Sequence, residues 1–411
     1  MGPIPTATSL PERPVGASPP GTKNQQRFLR RQAARSATFQ SNWRFRHTWI
    51  MDFTLPAKYF CCPHVFAQET ERLFAPSWMA VGRSEDVAAR GSFVTVTVEG
   101  HDLLLVRGDD GLRCFHNTCR HRGTRLLEAP RGELTGRCIV CPYHAWKYDT
   151  EGQLVAAPNM PSDGTFDTAT YGLQPVPVTE WLGFAMVCLD GHTDTLPNEH
   201  QHLEAQLAPW QLPTLRRAAA LDYRVAANWK LVMQNYSECY HCPTVHPALH
   251  RLTSFRSSTN DLTSGPFLGG PMQLNDGCET MSVDGKRVGT LLPELSETQR
   301  REVYYYVLFP NLLVSLHPDF VMTHTLKRES IDVTQVRCEF HFHPDAMARD
   351  RFAPDRAVEF WDEVNRQDWH VCELSQQGAH NPAYRPGPYS PYESMLIAFD
   401  QHYLETMAIT G

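Results

Sequence analysis

Two short cysteine–histidine pairs constrain this chain more than any other feature: Cys119-Arg120-His121 and, after nineteen residues, Cys141-Pro142-Tyr143-His144. Each loop offers one thiol and one imidazole, and two such loops can close on a single centre. A mixed Cys2His2 set suits zinc or a [2Fe-2S] cluster; in the iron case two thiolates hold one iron and two neutral imidazoles the other. Zinc fingers present their ligands in the order Cys, Cys, His, His, so the alternating order here points to the cluster. Cys114-Phe115-His116 has the same spacing as the first loop. It reads as a strand, however, and lacks the Arg-Gly that follows His121. Cys138 has no histidine two or three residues on.

The pairs sit in a stretch of short alternating or apolar runs, Phe93 to Val98, Leu103 to Val106 and Phe184 to Leu189, separated by glycine-containing turns. This part reads as a small all-β domain over 81–190, preceded by a helical arm over 51–80 through Pro63, Glu69, Leu73 and Phe74. The nineteen-residue gap is expected to hold an insertion around Pro130-Arg131-Gly132 that stays in the loop. Residues 191–411 read as α+β, with a helix over 228–242 and strands through 303–307, 312–316, 321–326 and 336–342. A long helix follows from about Asp355 to Gln377, where Gly378 is positioned as a stop. Residues 1–50 are rich in Pro, Ser, Gln and Arg and read as a disordered tail or an early start, with a transit peptide as the alternative.

That tail holds eight Lys/Arg and one acid, so the rest of the chain is about twice as acidic as the overall charge of −7. Such a balance argues against nucleic acid as a partner. No apolar run approaches the roughly 18 residues of a membrane span, and the twelve cysteines lack the spacing of a disulfide scaffold. The expectation is a cytoplasmic protein whose cysteines are thiols.

A second constellation lies in the helix opened by Asn228-Trp229-Lys230, which carries Glu238-Cys239-Tyr240-His241 and then Cys242-Pro243-Thr244-Val245-His246. Glu238 and His241 are three apart, hence on one helix face, and Pro243 is expected to break the helix so that His246 folds back toward His241. Two imidazoles with one carboxylate form a facial triad that leaves open positions for O2 on Fe(II). The long helix offers Glu359, Asp362, Glu363, Asp368 and Glu373 as the third ligand.

Both constellations together, with Arg122-Gly123 after the first pair and Ala145-Trp146-Lys147-Tyr148 after the second, resemble the Rieske non-haem iron oxygenases, the ring-hydroxylating α subunits. The resemblance implies an all-β Rieske domain joined to a helix-grip catalytic domain with an antiparallel sheet and a long C-terminal helix. It implies a [2Fe-2S] cluster on Cys119, His121, Cys141 and His144, and a mononuclear Fe(II) on His241, His246 and Asp368. Asp368 matches the family's third ligand, which lies on the last long helix before an end like Gln376-Gln377-Gly378. Glu238 then corresponds to the acid that links the iron site to a cluster histidine of the neighbouring subunit, in a homotrimer supplied with electrons by an NAD(P)H-dependent reductase.

Relatives with Glu at that position include oxygenases of choline, carnitine, glycine betaine and proline betaine. Val303-Tyr304-Tyr305-Tyr306 and Phe309-Pro310-Asn311-Leu312-Leu313 resemble the betaine-demethylating branch. The expectation is monooxygenation of an N-methyl group, with Tyr304 to Tyr306 as an aromatic cage for a quaternary ammonium ion. An arene dioxygenase is the alternative, and an electron carrier that only retains a Rieske centre is the second.

Overall fold

A computed structural model describes Gly2, residues 52–191 and residues 195–408. The expectation of a disordered tail at 1–50 lies outside the described residues, Gly2 apart. The first half is built on β1 (Met79–Arg83), β2 (Ser92–Val98), β3 (His101–Arg107), β4 (Leu112–His116), β5 (Arg131–Glu133), β6 (Ile139–Val140), β7 (Lys147–Tyr148), β8 (Leu154–Ala156), β9 (Val178–Trp181) and β10 (Phe184–Val187). These form three small antiparallel sheets, ordered β4-β3-β2-β5, β6-β7-β8 and β1-β10-β9. The β2–β3 hairpin turns on Glu99-Gly100, both at positive φ, as a two-residue turn between right-twisted strands requires. Arg131-Gly132-Glu133 is not loop, as the sequence led us to expect, but an edge strand paired with residues 92–94 of β2. The free edge of β2 gives the inserted backbone a ladder to join, which an exposed loop lacks.

The second half carries one seven-stranded antiparallel sheet: β11 (Arg216–Val225), β12 (Leu262–Ser264), β13 (Phe267–Gln273), β14 (Glu302–Leu308), β15 (Leu312–Leu316), β16 (Val321–Ser330) and β17 (Val333–Phe342), in the order β11-β17-β16-β15-β14-β13-β12. Besides helices at Asn198–Leu207 and Pro344–Met347, it carries α1 (Trp229–Tyr236), α2 (Cys242–Val245), α3 (Pro247–Leu252), α4 (Asp355–His380) and α5 (Ser394–Ala408). Side chains alternate across the sheet. Val303, Tyr305, Leu313, Met322, Cys338 and Phe340 fall on the face shared with α1 and α4. Tyr304, Tyr306, Val314 and Leu316 fall on the other, with Trp210 and Phe184. This pattern is the α+β architecture expected of the chain.

One helix end and one added helix differ from the sequence reading. Gly378 does not stop α4, which continues to His380; the following Asn381-Pro382 ends it, because a proline pushes the preceding residue out of the α region. Nor is α4 the last helix, since α5 follows and packs Phe399 and Tyr403 into the core.

The two halves are tied together by buried polar contacts. Asn311, in the β14–β15 turn, exchanges two hydrogen bonds with the backbone of Ala80. Arg217 of β11 pairs with both Asp86 and Glu339. Glu69, fully buried in the arm helix Pro63–Glu69, accepts from Trp229, Lys230, Arg328 and Tyr403. Arg328 in turn meets Glu99 from the β2–β3 hairpin.

Candidate metal centres

The two cysteine–histidine loops lie side by side at the tip of the β domain. In the first, the Cys119 N–H donates to Thr124 O and the Gly123 N–H to Cys119 O. In the second, the Cys141 N–H donates to Trp146 O and the Ala145 N–H to Cys141 O. Each turn needs one residue at positive φ, and Gly123 (+72°) meets this without strain, while Ala145 (+55°) adopts it with a side chain. Folding the loops this way buries Cys119 and Cys141, at 2% and 3% exposure, and leaves His121 and His144 at the surface. The imidazole rings are 4.8 Å apart, with Trp146 stacked on His121 and Tyr143 on His144. Burial pushes the Cys119 thiol up, and neighbouring Cys141 adds to the push. The Tyr148 hydroxyl lies 3.3 Å from Cys119 Sγ and accepts from the Arg120 N–H.

Two inner thiols and two outer imidazoles fit a two-iron cluster. They do not fit a single zinc: among the described residues, the one set of three or more His, Cys, Asp or Glu side chains close enough to share an ion is His241, His246 and Asp368. Cys114 lies buried within strand β4 and Cys138 directly precedes β6, so neither belongs to a ligand loop.

That second set is assembled differently from the sequence expectation. Asn228 caps α1, its side chain accepting from the Lys230 N–H, but the helix ends at Tyr236 rather than running to 242. At its end the Ser237 hydroxyl donates to Met233 O at 2.6 Å and the Ser237 N–H to Gln234 O, satisfying carbonyls of the last turn. Glu238 and His241 therefore meet across a turn, not along a helix face. Pro243 likewise breaks nothing: it occupies the first turn of α2, where its missing N–H is harmless, and His241 is the N-cap. His246 sits between α2 and α3 at φ −122°, ψ 69°, which returns its ring toward His241.

The outcome is a tight cluster. His241 Nε2 lies 3.2 Å from His246 Nε2 and 3.2 Å from Asp368 Oδ1, and His246 Nε2 lies 2.8 Å from the same oxygen. The outward ring nitrogens are held as well: His241 Nδ1 donates to Glu238 Oε1 (2.5 Å) and His246 Nδ1 to Gln367 Oε1 (2.7 Å). The second Glu238 oxygen accepts the backbone N–H of Tyr240 and of His241. Burial opposes charge on His241, yet the Asp368 and Glu238 carboxylates outweigh it and push the ring up to about 10. The site thus favours positive charge, and two nitrogens with one carboxylate oxygen form the donor set of a facial iron triad. The other acids on α4 are committed elsewhere or exposed. Asp362 accepts from Tyr223, Glu363 from Gln367 and Glu373 from the Ala226 N–H, while Glu359 faces solvent.

A cavity of about 80 Å³ opens beside the triad, walled by Tyr236, Tyr305, His324, Trp361, Asn365 and Trp369. Among the described residues, no lysine or arginine lines it. Tyr236 and Tyr305 are 6.0 Å apart with ring planes at 76°, and Tyr305 and Trp361 6.3 Å apart at 64°. The expected cage of Tyr304 to Tyr306 is corrected by strand alternation. Only Tyr305 faces the cavity; Tyr304 and Tyr306 point to the opposite face, where their hydroxyls donate to Glu302 and Asp261. The sequence reading missed Gln367, Tyr236, Trp361 and Trp369. The tryptophans carried a signal in that 361, 365 and 369 share a stripe of α4 with Asp368. One expectation about thiols also changes: Cys239 and Cys242 form a disulfide, while the other ten cysteines are free.

Comparison with known proteins agrees with this geometry. Residues 77–177 match the Rieske [2Fe-2S] domain and residues 212–409 the ring hydroxylating alpha subunit (catalytic domain). The glycine betaine monooxygenase oxygenase subunit of Chromohalobacter salexigens is 31% identical over 391 residues, 87% of this chain and 86% of that protein. The carnitine monooxygenase oxygenase subunit of Escherichia coli is 36% identical over 199 residues, 47% of this chain and 52% of that protein. A crystal structure of the quaternary ammonium Rieske monooxygenase CntA with L-carnitine superposes with a TM-score of 0.69 at 25% identity, covering 87% of this chain and 96% of that one.

Proposed function

Because this chain belongs to the Rieske non-haem iron oxygenase family of ring-hydroxylating α subunits, we propose that it monooxygenates an N-methyl group of a small quaternary ammonium compound. The observation that carries the reading is the cavity beside the triad. Its mutually inclined Tyr236, Tyr305 and Trp361 rings offer π faces to a cation, and among the described residues no lysine or arginine opposes one. The relatives named for glycine betaine and carnitine support the same substrate class.

We assign the cluster ligands to Cys119, His121, Cys141 and His144 and the mononuclear iron ligands to His241, His246 and Asp368. When bound, the two centres supply stored electrons and dioxygen activation. The chain's own residues do the rest. Glu238 and Gln367 fix the tautomers of His241 and His246 so that both Nε2 atoms face inward, as outer partners of metal-bound imidazoles do. The apolar walls Leu249, Leu268, Val307 and Val364 keep bulk water from the reacting methyl. Hydroxylation of that methyl gives a carbinolamine that breaks its carbon–nitrogen bond, releasing formaldehyde and the demethylated amine. The balance takes up one O2, two electrons and two protons and releases one water.

We place the arm at 51–78, the Rieske domain at 79–190 and the catalytic domain at 191–411, the first boundary moved from 80/81 so that all of β1 (Met79–Arg83), which pairs with β10, belongs to the Rieske domain. A cyclic trimer fits the surfaces. Exposed His121, His144 and Tyr143 form one tip, and exposed Tyr240 and Tyr392 pack with Phe255 beside Glu238, where a neighbouring tip would dock. We propose an NAD(P)H-dependent reductase as electron donor and the cytoplasm as the location; among the described residues no helix is long and apolar enough to cross a membrane.

The test is to incubate iron-loaded protein with a reductase and a panel of glycine betaine, carnitine, choline and aromatic acids. Formaldehyde in step with substrate loss is expected from a quaternary amine. A diol from an arene with no formaldehyde from any amine would establish the dioxygenase alternative, and about two irons per chain with no product the electron carrier.

A further inference from the structure

Cys239 and Cys242 bracket Tyr240 and His241, and their sulfurs are joined. We infer that this Cys-x-x-Cys pair is a reversible thiol–disulfide modification site that sets how firmly the loop carrying His241 holds its metal. The inference rests on His241 being a ligand, as assigned above.

The loop from Ser237 to His241 belongs to no helix: α1 has ended at Tyr236 and α2 begins at Cys242. Two kinds of tie hold it in the shape that carries the His241 ring to His246 and Asp368. One is non-covalent: the Glu238 carboxylate accepts from the Tyr240 and His241 backbone and from His241 Nδ1, the Cys242 N–H donates to Cys239 O, and the Tyr240 ring packs with Phe255 and Tyr392. The other is the disulfide, which closes a covalent ring around the backbone on both sides of His241. Hydrogen bonds alone let such a turn open; a covalent closure removes the open conformers. With the disulfide formed the triad is assembled, so oxidation is compatible with the metal-binding geometry.

The pair is built for exchange rather than for permanent cross-linking. Two residues between cysteines is the spacing of redox-active pairs, and disulfides in reducing compartments are transient or redox-sensing. The two sulfurs are also unequal in access. Cys242 is buried at 4% exposure, whereas Cys239 is partly exposed and flanked by Tyr240 at 52%. A low-molecular-weight disulfide such as oxidised glutathione reaches Cys239 first. The Cys239 thiolate attacks it, forming a mixed disulfide and releasing one glutathione thiol. Cys242 then attacks the Cys239 sulfur and releases the second. One disulfide is consumed and one formed, two electrons pass to glutathione, and the two cysteine protons leave with the two glutathione thiols.

The iron-loaded full chain, equilibrated in glutathione buffers of graded thiol-to-disulfide ratio, tests this in two readouts. Alkylation followed by peptide mass spectrometry should show Cys239 and Cys242 losing and regaining both labels together across the ratios. Iron release to a chelator should be slower in the oxidised form by about tenfold, the order expected when closing a four-residue ring removes the open loop. C239S/C242S, checked for folding by circular dichroism, should release iron at a rate independent of the ratio; C239S alone serves if the double variant does not fold. Labels on both cysteines at every ratio, or equal release from both forms, overturns the inference. Neither readout needs a substrate, so a protein that demethylates nothing leaves this test standing while removing the proposed activity.

Discussion

At the scale of single residues, the cluster loops depend on which polar group reaches sulfur. The Tyr148 hydroxyl is the side-chain donor to Cys119 Sγ, and it also accepts from the Arg120 N–H, so it cannot turn away without stranding that donor. A hydrogen bond to a ligand sulfur favours the more electron-rich, reduced cluster and raises its potential. Tyr148→Phe should therefore lower the midpoint potential by roughly 40 mV, taking about 1 kcal/mol for the bond and a one-electron couple. Redox titration followed by electron paramagnetic resonance measures this, and an unchanged midpoint would show that the hydroxyl does not act on the cluster. Cys119, His121, Cys141 and His144 were legible as a set because their spacing is local. Tyr148 had a sequence position but no visible partner, since its contact with Cys119 forms only when β7 is laid beside the first loop.

Among the elements, α5 went unread and α1 was read too long, and the two meet in the core. Asp400 of α5 accepts from Gln234 of α1 and from Tyr389, beneath the arm and the sheet. Burial pushes this carboxyl up to about 7, against an ordinary value near 3.8. A raised carboxyl binds its proton more tightly in the native state than in the unfolded chain. Its stabilising contribution is therefore full below the unfolded value and is lost as pH rises from about 4 through about 7. Asp400→Asn removes that penalty, so the gap in melting temperature between variant and wild type should widen in the variant's favour as pH rises to 8. A gap that is flat with pH would show that Asp400 titrates normally. No sequence pattern exposes this group, because α5 is apolar over most of its surface and lacks the contrast between faces that marks an amphipathic helix.

In the whole molecule, Glu69 is where the arm, α1, β16 and α5 converge. Lys230 and Arg328 are buried against it, and burial lowers Lys230 to about 8 even with that carboxylate in contact. Glu69→Ala leaves both cations buried without their shared partner and should destabilise the fold by roughly 3–5 kcal/mol, measured by chemical denaturation. A loss under about 1 kcal/mol would mean that the cations find water instead. The sequence by itself determined what depends on neighbours in the chain: the two cysteine–histidine loops, the His241 and His246 pair, the alternating strands and the long helix α4. It also carried the family, because ligand spacing within a loop is fixed by covalent geometry. The family resemblance had already singled out Asp368 among the acids of α4, and the fold brings it to within hydrogen-bond distance of both histidines; only the tertiary structure decided that Tyr305 rather than Tyr304 or Tyr306 lines the cavity, and that Gln367 orients His246. Those outcomes turn on how a helix is rotated against a sheet, and packing between segments such as His246 and Gln367, 121 residues apart, sets it.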